Sequence, residues 1–407
     1  MSSVDWVPEL AAALDELVPL DEDSSASWDD VLGRVARRRR LRLWRGRPHR
    51  GLRLAIVVAL IFLLLAGVAT ATYLLVRSDA RLALGGGSEP LLLTNRGGHG
   101  MQLVARCPAT RSSCEIDDPT WSPDGTQLAF LRGHIVGRLV TSHMTLYVAS
   151  ANGEHPRPLA RCDYCGDSLA GRISWSPDGR WIAFSSGNRP GRSHQQWIWL
   201  VPASGGKPRR LCASCNGFDP AWSPDGRLIV FASNPPDEPG PPWGSLFSAH
   251  PDGTSFRMIV KSGSDPEWAP DGQQIVFNTA PESIAVANAD GSGLQVLFTG
   301  PLELGGPRPS WSPDGHKLVF VQTPGVHPHF YGEVWTMNAD GSGKERLYRS
   351  GCCILGGPTW SPDGRMIAFS SDAGTFMINA DGSGLRQLSP IAYGHLSWLR
   401  TPKGEHK

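Results

Sequence analysis

The pentapeptide Trp-Ser-Pro-Asp-Gly begins at Trp121, Trp175, Trp222, Trp311 and Trp360, and recurs as Trp-Ala-Pro-Asp-Gly at Trp268. Trp398, in the segment GHLSW, falls one further interval along without its turn. Successive tryptophans are 54, 47, 46, 43, 49 and 38 residues apart, a period that fits a four-stranded unit repeated around a ring rather than a helical repeat.

Each unit opens with a hairpin. In TWSPDGTQLAF, Thr120 to Phe130, a short strand carries the tryptophan, a tight turn follows, and a second strand ends in an apolar triplet. Proline fixes φ at the first central turn position, aspartate bonds nearby backbone, and glycine accepts the left-handed conformation. The consecutive apolar residues of the second strand predict burial on both faces. A second hairpin follows, turning through NADGSG after Ala287, Met337 and Ile378 and through looser versions after Leu146, Ile198 and Leu246. Two hairpins per unit give strands A to D. No unit can bury both faces alone, so the core forms only when units stack.

Together these motifs, over roughly residues 88 to 400, resemble the TolB-type propeller repeat, a relative of the WD-repeat. The resemblance implies a β-propeller and a disposition toward binding other macromolecules; it brings no catalytic residue set. The expected fold is therefore all-β. PLLLTNRGGHGMQLVARC reads as strands C and D of a blade lacking its start, and GHLSWLR as a strand A lacking its continuation. Joining them gives a composite last blade with three clear strands, which favours seven blades over six.

A net charge of +1 hides a sharp segregation: residues 1–33 hold nine acids and no Lys or Arg, whereas residues 34–53 hold ten arginines and no acid. Residues 54–76 are 23 uncharged, mostly apolar positions, enough to cross a hydrocarbon core as a helix. Ten arginines before this span, against Arg77 and Arg81 just after it, place the amino terminus in the cytoplasm. The arginine run thus reads as a topology determinant with anionic-lipid contact, and a nucleic-acid partner is not expected. Ala69-Thr-Ala71 resembles a signal-peptidase site, but a charged region of 53 residues and so long an apolar stretch are atypical of signal peptides. The expected organisation is a cytoplasmic tail (1–53), a single-pass anchor (54–76), a linker (77–88), an extracytoplasmic propeller (89–400) and a short carboxy-terminal tail (401–407). The cytoplasmic tail holds two short helix signals, one capped by Asp5 and one by Ser27 with Asp30, so it reads as a solvated segment or as a docking element for a cytoplasmic partner.

In a propeller the A–B and C–D turns share one face, and the B–C and D–A connections share the other. The first face carries the repetitive turns. The second carries the variable loops, such as LRGHIVGRLVTSHM, SSGNRPGRSHQQ, ASNPPDEPGPPWGS and VQTPGVHPHFYGE, and is where binding is expected. All eight cysteines fall in connections leading to a strand A on this loop face: Cys107 with Cys114, Cys162 with Cys165, Cys212 with Cys215, and Cys352 with Cys353. Beyond a membrane, local pairs favour disulfides, although the adjacent Cys352 and Cys353 close only a strained ring. The alternative is tetrahedral zinc on Cys162, Cys165, Cys212 and Cys215. A thioredoxin-like role is disfavoured because neither CxxC opens a helix.

Three positions before each tryptophan stand Asp118, Arg172, Asp219, Asp265, Arg308, Gly357 and His395. If strand A is innermost, they ring the channel mouth on the loop face. They then either cap local amides or form a mixed-charge funnel for a polar ligand or peptide. Residues beside the tryptophans are mostly Ser, Thr or Ala, with Glu267 the exception. GDSL at Gly166 to Leu169 lacks the α/β surroundings of the hydrolases it resembles, NADGSG lacks the acidic ligands of a calcium loop, and His327 with His329 has no third ligand. With no nucleophile, acid–base pair or cofactor loop, the expected function is non-catalytic binding or sensing of a protein, peptide or glycan. A scaffold of an envelope complex, or a lyase or hydrolase acting on envelope polymers, is the alternative. No cofactor or metal is expected.

Overall fold

A computed structural model describes residues 81–85, 91–95, 102–105, 114–135, 142–163, 172–187, 196–233, 244–279, 282–300, 309–324, 331–351, 354–391 and 395–399. The chain divides into two compact units, 1–70 and 71–407, and every described residue belongs to the second. The readings of the tail and of the apolar span fall outside the described residues. Among those that are described, no helix is long and apolar enough to cross a membrane.

Every described element is a strand or turn, as the hairpin motifs predict. The chain opens with β1 (Arg81–Gly85), β2 (Leu91–Asn95) and β3 (Gln102–Ala105). The first contiguous blade is β4 (Cys114–Trp121), β5 (Gln127–Ile135), β6 (Ser142–Ser150) and β7 (Arg157–Asp163). The second is β8 (Ser174–Trp175), β9 (Trp181–Gly187), β10 (Gln196–Pro202) and β11 (Arg209–Arg210). The third is β12 (Phe218–Trp222), β13 (Ile229–Ser233), β14 (Ser245–Ala249) and β15 (Arg257–Val260). The fourth is β16 (Ser264–Trp268), β17 (Gln274–Thr279), β18 (Ser283–Asn288) and β19 (Gln295–Thr299). The fifth is β20 (Ser310–Trp311), β21 (Lys317–Gln322), β22 (Glu333–Asn338) and β23 (Glu345–Arg349). The sixth is β24 (Ile354–Trp360), β25 (Met366–Ser371), β26 (Gly374–Asn379) and β27 (Arg386–Ser389), and β28 (His395–Trp398) closes the series.

Six antiparallel sheets are thus each made of four consecutive strands, and a further four-stranded sheet, ordered β28-β1-β2-β3, joins the two ends of the chain. Two expectations change here. The composite sheet has four strands, because β1 lies inside the stretch read as a linker and pairs with both β28 and β2. In the first blade, residues 131–135 and 142–144, read as loop, instead extend β5 and β6 as a paired ladder.

Strand A of each sheet contacts strand A of the next, so the tryptophan-bearing strands are innermost. Seven apolar clusters each bridge two neighbouring sheets. One joins Leu91, Leu93 and Val104 to Trp121, Leu128 and Phe130, and another joins Ala368 and Met377 to Trp398, so the composite sheet packs on both sides. The tryptophans also latch neighbours by hydrogen bonding. The indole N–H of Trp121, Trp175, Trp268 and Trp360 donates to the carbonyl of Ser397, Thr120, Ala221 and Ser310 at 3.1–3.2 Å. Trp222, Trp311 and Trp398 make no such bond among the described residues. Losing the Trp121 latch removes a hydrogen bond between the composite sheet and the first blade, where the chain ends meet. Trp121→Phe is therefore expected to cost roughly 1–2 kcal/mol more than Trp222→Phe in urea unfolding, and equal costs would count against the latch.

Within the turns, Ser223 Oγ donates to Asp225 Oδ1 at 2.6 Å and accepts from Leu228 N, while Arg227 N donates to the same carboxylate. The NADGSG turns repeat the device: both the hydroxyl and the amide of Ser292 donate to Asp290. These bonds hold the carboxyls of Asp225, Asp290, Asp340 and Asp381 below the ordinary aspartate range, the serine hydroxyl being the leading cause. In Asp124, Asp178 and Asp314, partial burial opposes the effect but the serine and backbone bonds prevail. Lowered folded-state values contribute stability that is present above the unfolded pKa of about 3.9 and is lost as pH falls through the folded values. The thermal midpoint is expected to hold between about pH 7 and 5 and to drop below about pH 4; a flat profile down to pH 3 would show that the turn carboxylates contribute nothing.

Candidate functional site at the channel mouth

The start of strand A is where the regular ladder breaks. Register shifts interrupt pairing between Asp117 and Thr120, Phe218 and Ala221, and Ser264 and Glu267. At these breaks Asp118, Asp219 and Asp265 adopt left-handed φ angles of 49°, 52° and 52°, and all three are buried. Aspartate tolerates this region better than most residues, and such a bulge re-aims its side chain. Strand A of the second and fifth blades begins only beside its tryptophan, and there the position belongs to Arg172 and Arg308. Arg308 and the side chain of His395 lie outside the described residues.

Arg172 reaches across the ring. Its Nη1 donates to the Pro266 carbonyl at 3.0 Å and its Nη2 stands 3.9 Å from Glu267 Oε2, on a blade two positions further round. Glu267 Oε1 in turn accepts from Ser310 Oγ at 3.1 Å and from Trp311 N at 3.2 Å on the next blade. One guanidinium and one carboxylate therefore tie three blades together across the channel. Asp118 Oδ2 accepts from the amide of Ile173, a residue that stands where five of the other strands have proline and so retains an N–H. Asp265 Oδ2 lies 3.3 Å from both Ser264 Oγ and Asn278 Nδ2. Amide capping is thus seen at Asp118, while Arg172 pairs with Glu267, a residue outside the ring of positions counted back from the tryptophans. The sequence singles out Glu267 as an exception but does not reveal its partner. It also misses Glu333, buried at the loop-face end of β22, which accepts from Trp335 Nε1 and pairs with Arg346 Nη1, both at 2.9 Å.

The cysteines follow the disulfide reading where they are described. Cys212 and Cys215 form a disulfide, and Cys162 is disulfide-bonded too. This overturns the four-thiolate zinc alternative, since bonded sulfurs are not free thiolates. Cys107, Cys165, Cys352, Cys353 and the side chain of Cys114 lie outside the described residues. Among the described residues, no three His, Cys, Asp or Glu side chains converge as a metal donor set.

Residues 109–299 match the family described as "TolB beta propeller domain". Among solved structures, the chain is similar to a putative TolB from Agrobacterium tumefaciens, 24% identical over 70% of this chain and 95% of that one, with a TM-score of 0.48. It is also similar to an oligogalacturonate lyase in complex with manganese, 13% identical over 76% of this chain and 85% of that one, with a TM-score of 0.51, a likeness of fold alone. A curated protein, the uncharacterized peptidase YuxL of Bacillus subtilis, is 30% identical over 98 residues, which are 24% of this chain and 14% of the relative's length.

Proposed function

We propose that the protein is a non-catalytic binding or sensing module: a seven-bladed propeller outside the cytoplasmic membrane, held by the apolar segment 54–76 and presenting its loop face to a protein, peptide or glycan. The observation that carries this reading is the Arg172–Glu267 crossing. It ties the innermost strands of separate blades by a charged pair, in a ring whose variable loops lie on one face and whose repeated turns lie on the other. Preorganised charge on a rigid scaffold is what polar recognition requires. The 23-residue apolar stretch and the arginine asymmetry support the anchor.

The test is crosslinking in native membranes with separate baits in the tail and in the propeller. A propeller-side partner whose capture is lost in Arg172→Ala supports recognition at the mouth. Partners captured only by the tail, or capture indifferent to Arg172 and the loops, count against it. Turnover of envelope glycans or peptides by the purified propeller, abolished by a loop-face substitution, would replace the reading with an enzymatic one.

A further inference from the structure

The chain's direction through the composite sheet fixes the face on which it enters the ring. Every strand A runs from the loop face to the turn face, where its tryptophan precedes the A–B turn, and β28 ends at Trp398 in the same way. Strand β1 is antiparallel to it, with Leu82 opposite Trp398 and Gly85 opposite His395. The chain therefore enters the propeller at Arg81 on the turn face. Only residues 77–80 separate Arg81 from the end of the apolar stretch at Val76, so even a fully extended connection reaches no more than about 18 Å. Strands of five to six residues already occupy about 20 Å before loops are counted. Turning the loop face toward the bilayer would lift Arg81 beyond that reach.

The surface of the turn face points the same way. The large exposed apolar side chains include Leu294 (57%), Val296 (53%), Met258 (47%), Leu385 (47%) and Phe256 (36%), all within three residues of a C–D turn, at the turn-face ends of β15, β19 and β27. Lys207, Arg209, Arg210, Arg257 and Lys344 stand exposed along the same rim. Alternating apolar and long cationic side chains suit an interfacial depth, where the stems bury and the charges reach the headgroups. The turn aspartates on this rim, Asp252, Asp290, Asp340 and Asp381, are each bonded to the Ser or Thr two residues on.

We propose that the turn face lies against the membrane surface, with the apolar rim of β15, β19 and β27 at the headgroups, so that the variable-loop face points away from the bilayer. This rests on the anchor reading above. The test uses the full chain reconstituted into phosphatidylcholine–phosphatidylglycerol vesicles containing a headgroup nitroxide lipid. A fluorescent non-canonical residue is placed at position 294 on the turn face or at position 322 at the loop-face end of β21. Several-fold stronger quenching at 294 than at 322 is expected. Equal quenching, or stronger quenching at 322, in chains that float with the vesicles overturns the orientation while leaving the anchor intact. Failure of the full chain to float with vesicles overturns the anchor and the orientation with it.

Discussion

Phe320→Ala is expected to destabilise the propeller by roughly 3–5 kcal/mol, seen as a fall of on the order of 10 °C in the thermal midpoint. Phe320 lies on β21 with no exposed surface, its ring centroid 4.9 Å from that of Phe298. It belongs to the apolar cluster that joins the fourth and fifth blades through Val276, Ile284, Trp311 and Leu318. Truncation removes the transfer free energy of a whole ring and leaves a cavity that two hydrogen-bonded sheets cannot collapse to fill. The same residue type stands nine positions after each tryptophan of the six complete motifs, at Phe130, Phe184, Phe231, Phe277, Phe320 and Phe369. All six are buried, so the cost should be similar wherever the substitution is made. A loss below about 1 kcal/mol would mean that the blade interface repacks and that this phenylalanine is not its anchor.

That phenylalanine was readable because it obeys a short-range rule: a turn of fixed length places it at a fixed depth in strand B. The inner hairpins and the C–D turns were readable for the same reason. Strand β1 was not. Its sequence, Arg-Leu-Ala-Leu-Gly, has no β-branched or aromatic residue and runs into three glycines, so local propensity reads it as a spacer. It is a strand because β28 and β2 offer ladders on both sides, a pairing between chain ends more than 300 residues apart. The ends of β5 and β6 were missed likewise, since Arg132, Gly133 and His134 carry little strand propensity and are held by cross-strand pairing.

The mouth was legible as a list of positions but not as an arrangement. Counting back from each tryptophan leads to Asp118, Asp219 and Asp265 on the innermost strands β4, β12 and β16, and to Arg172 just before β8. No local rule says that Arg172 bridges to a blade two positions away, because that contact exists only once the ring has closed. Nor does the sequence show that the aspartates sit in left-handed bulges, since Asp-Pro also reads as an ordinary strand start.

Gly291→Ala should cost about 3–4 kcal/mol, and the reason reaches beyond the turn in which it sits. Gly291 occupies a left-handed φ of 88°, which charges any side chain roughly 1–2 kcal/mol. A Cβ there would also stand 2.1 Å from the carbonyl oxygen of Ile259, on strand D of the preceding blade. That atom is backbone, at the bulge where β15 shifts register against β14, so relief requires main chain of one blade to move against the other, adding roughly 1–3 kcal/mol. Gly179→Ala supplies the control. Its φ is 70°, but a Cβ would meet nothing nearer than Pro123 Cδ at 3.9 Å, so only the conformational term applies. The two variants should therefore separate by roughly 2 kcal/mol in denaturant unfolding. Equal costs would show that the C–D turn is not seated against its neighbour. A large gap would show that the repeated turns lock successive blades as well as reverse the chain, which is how a ring held rigid from its turn face can offer a fixed constellation of charge on the other.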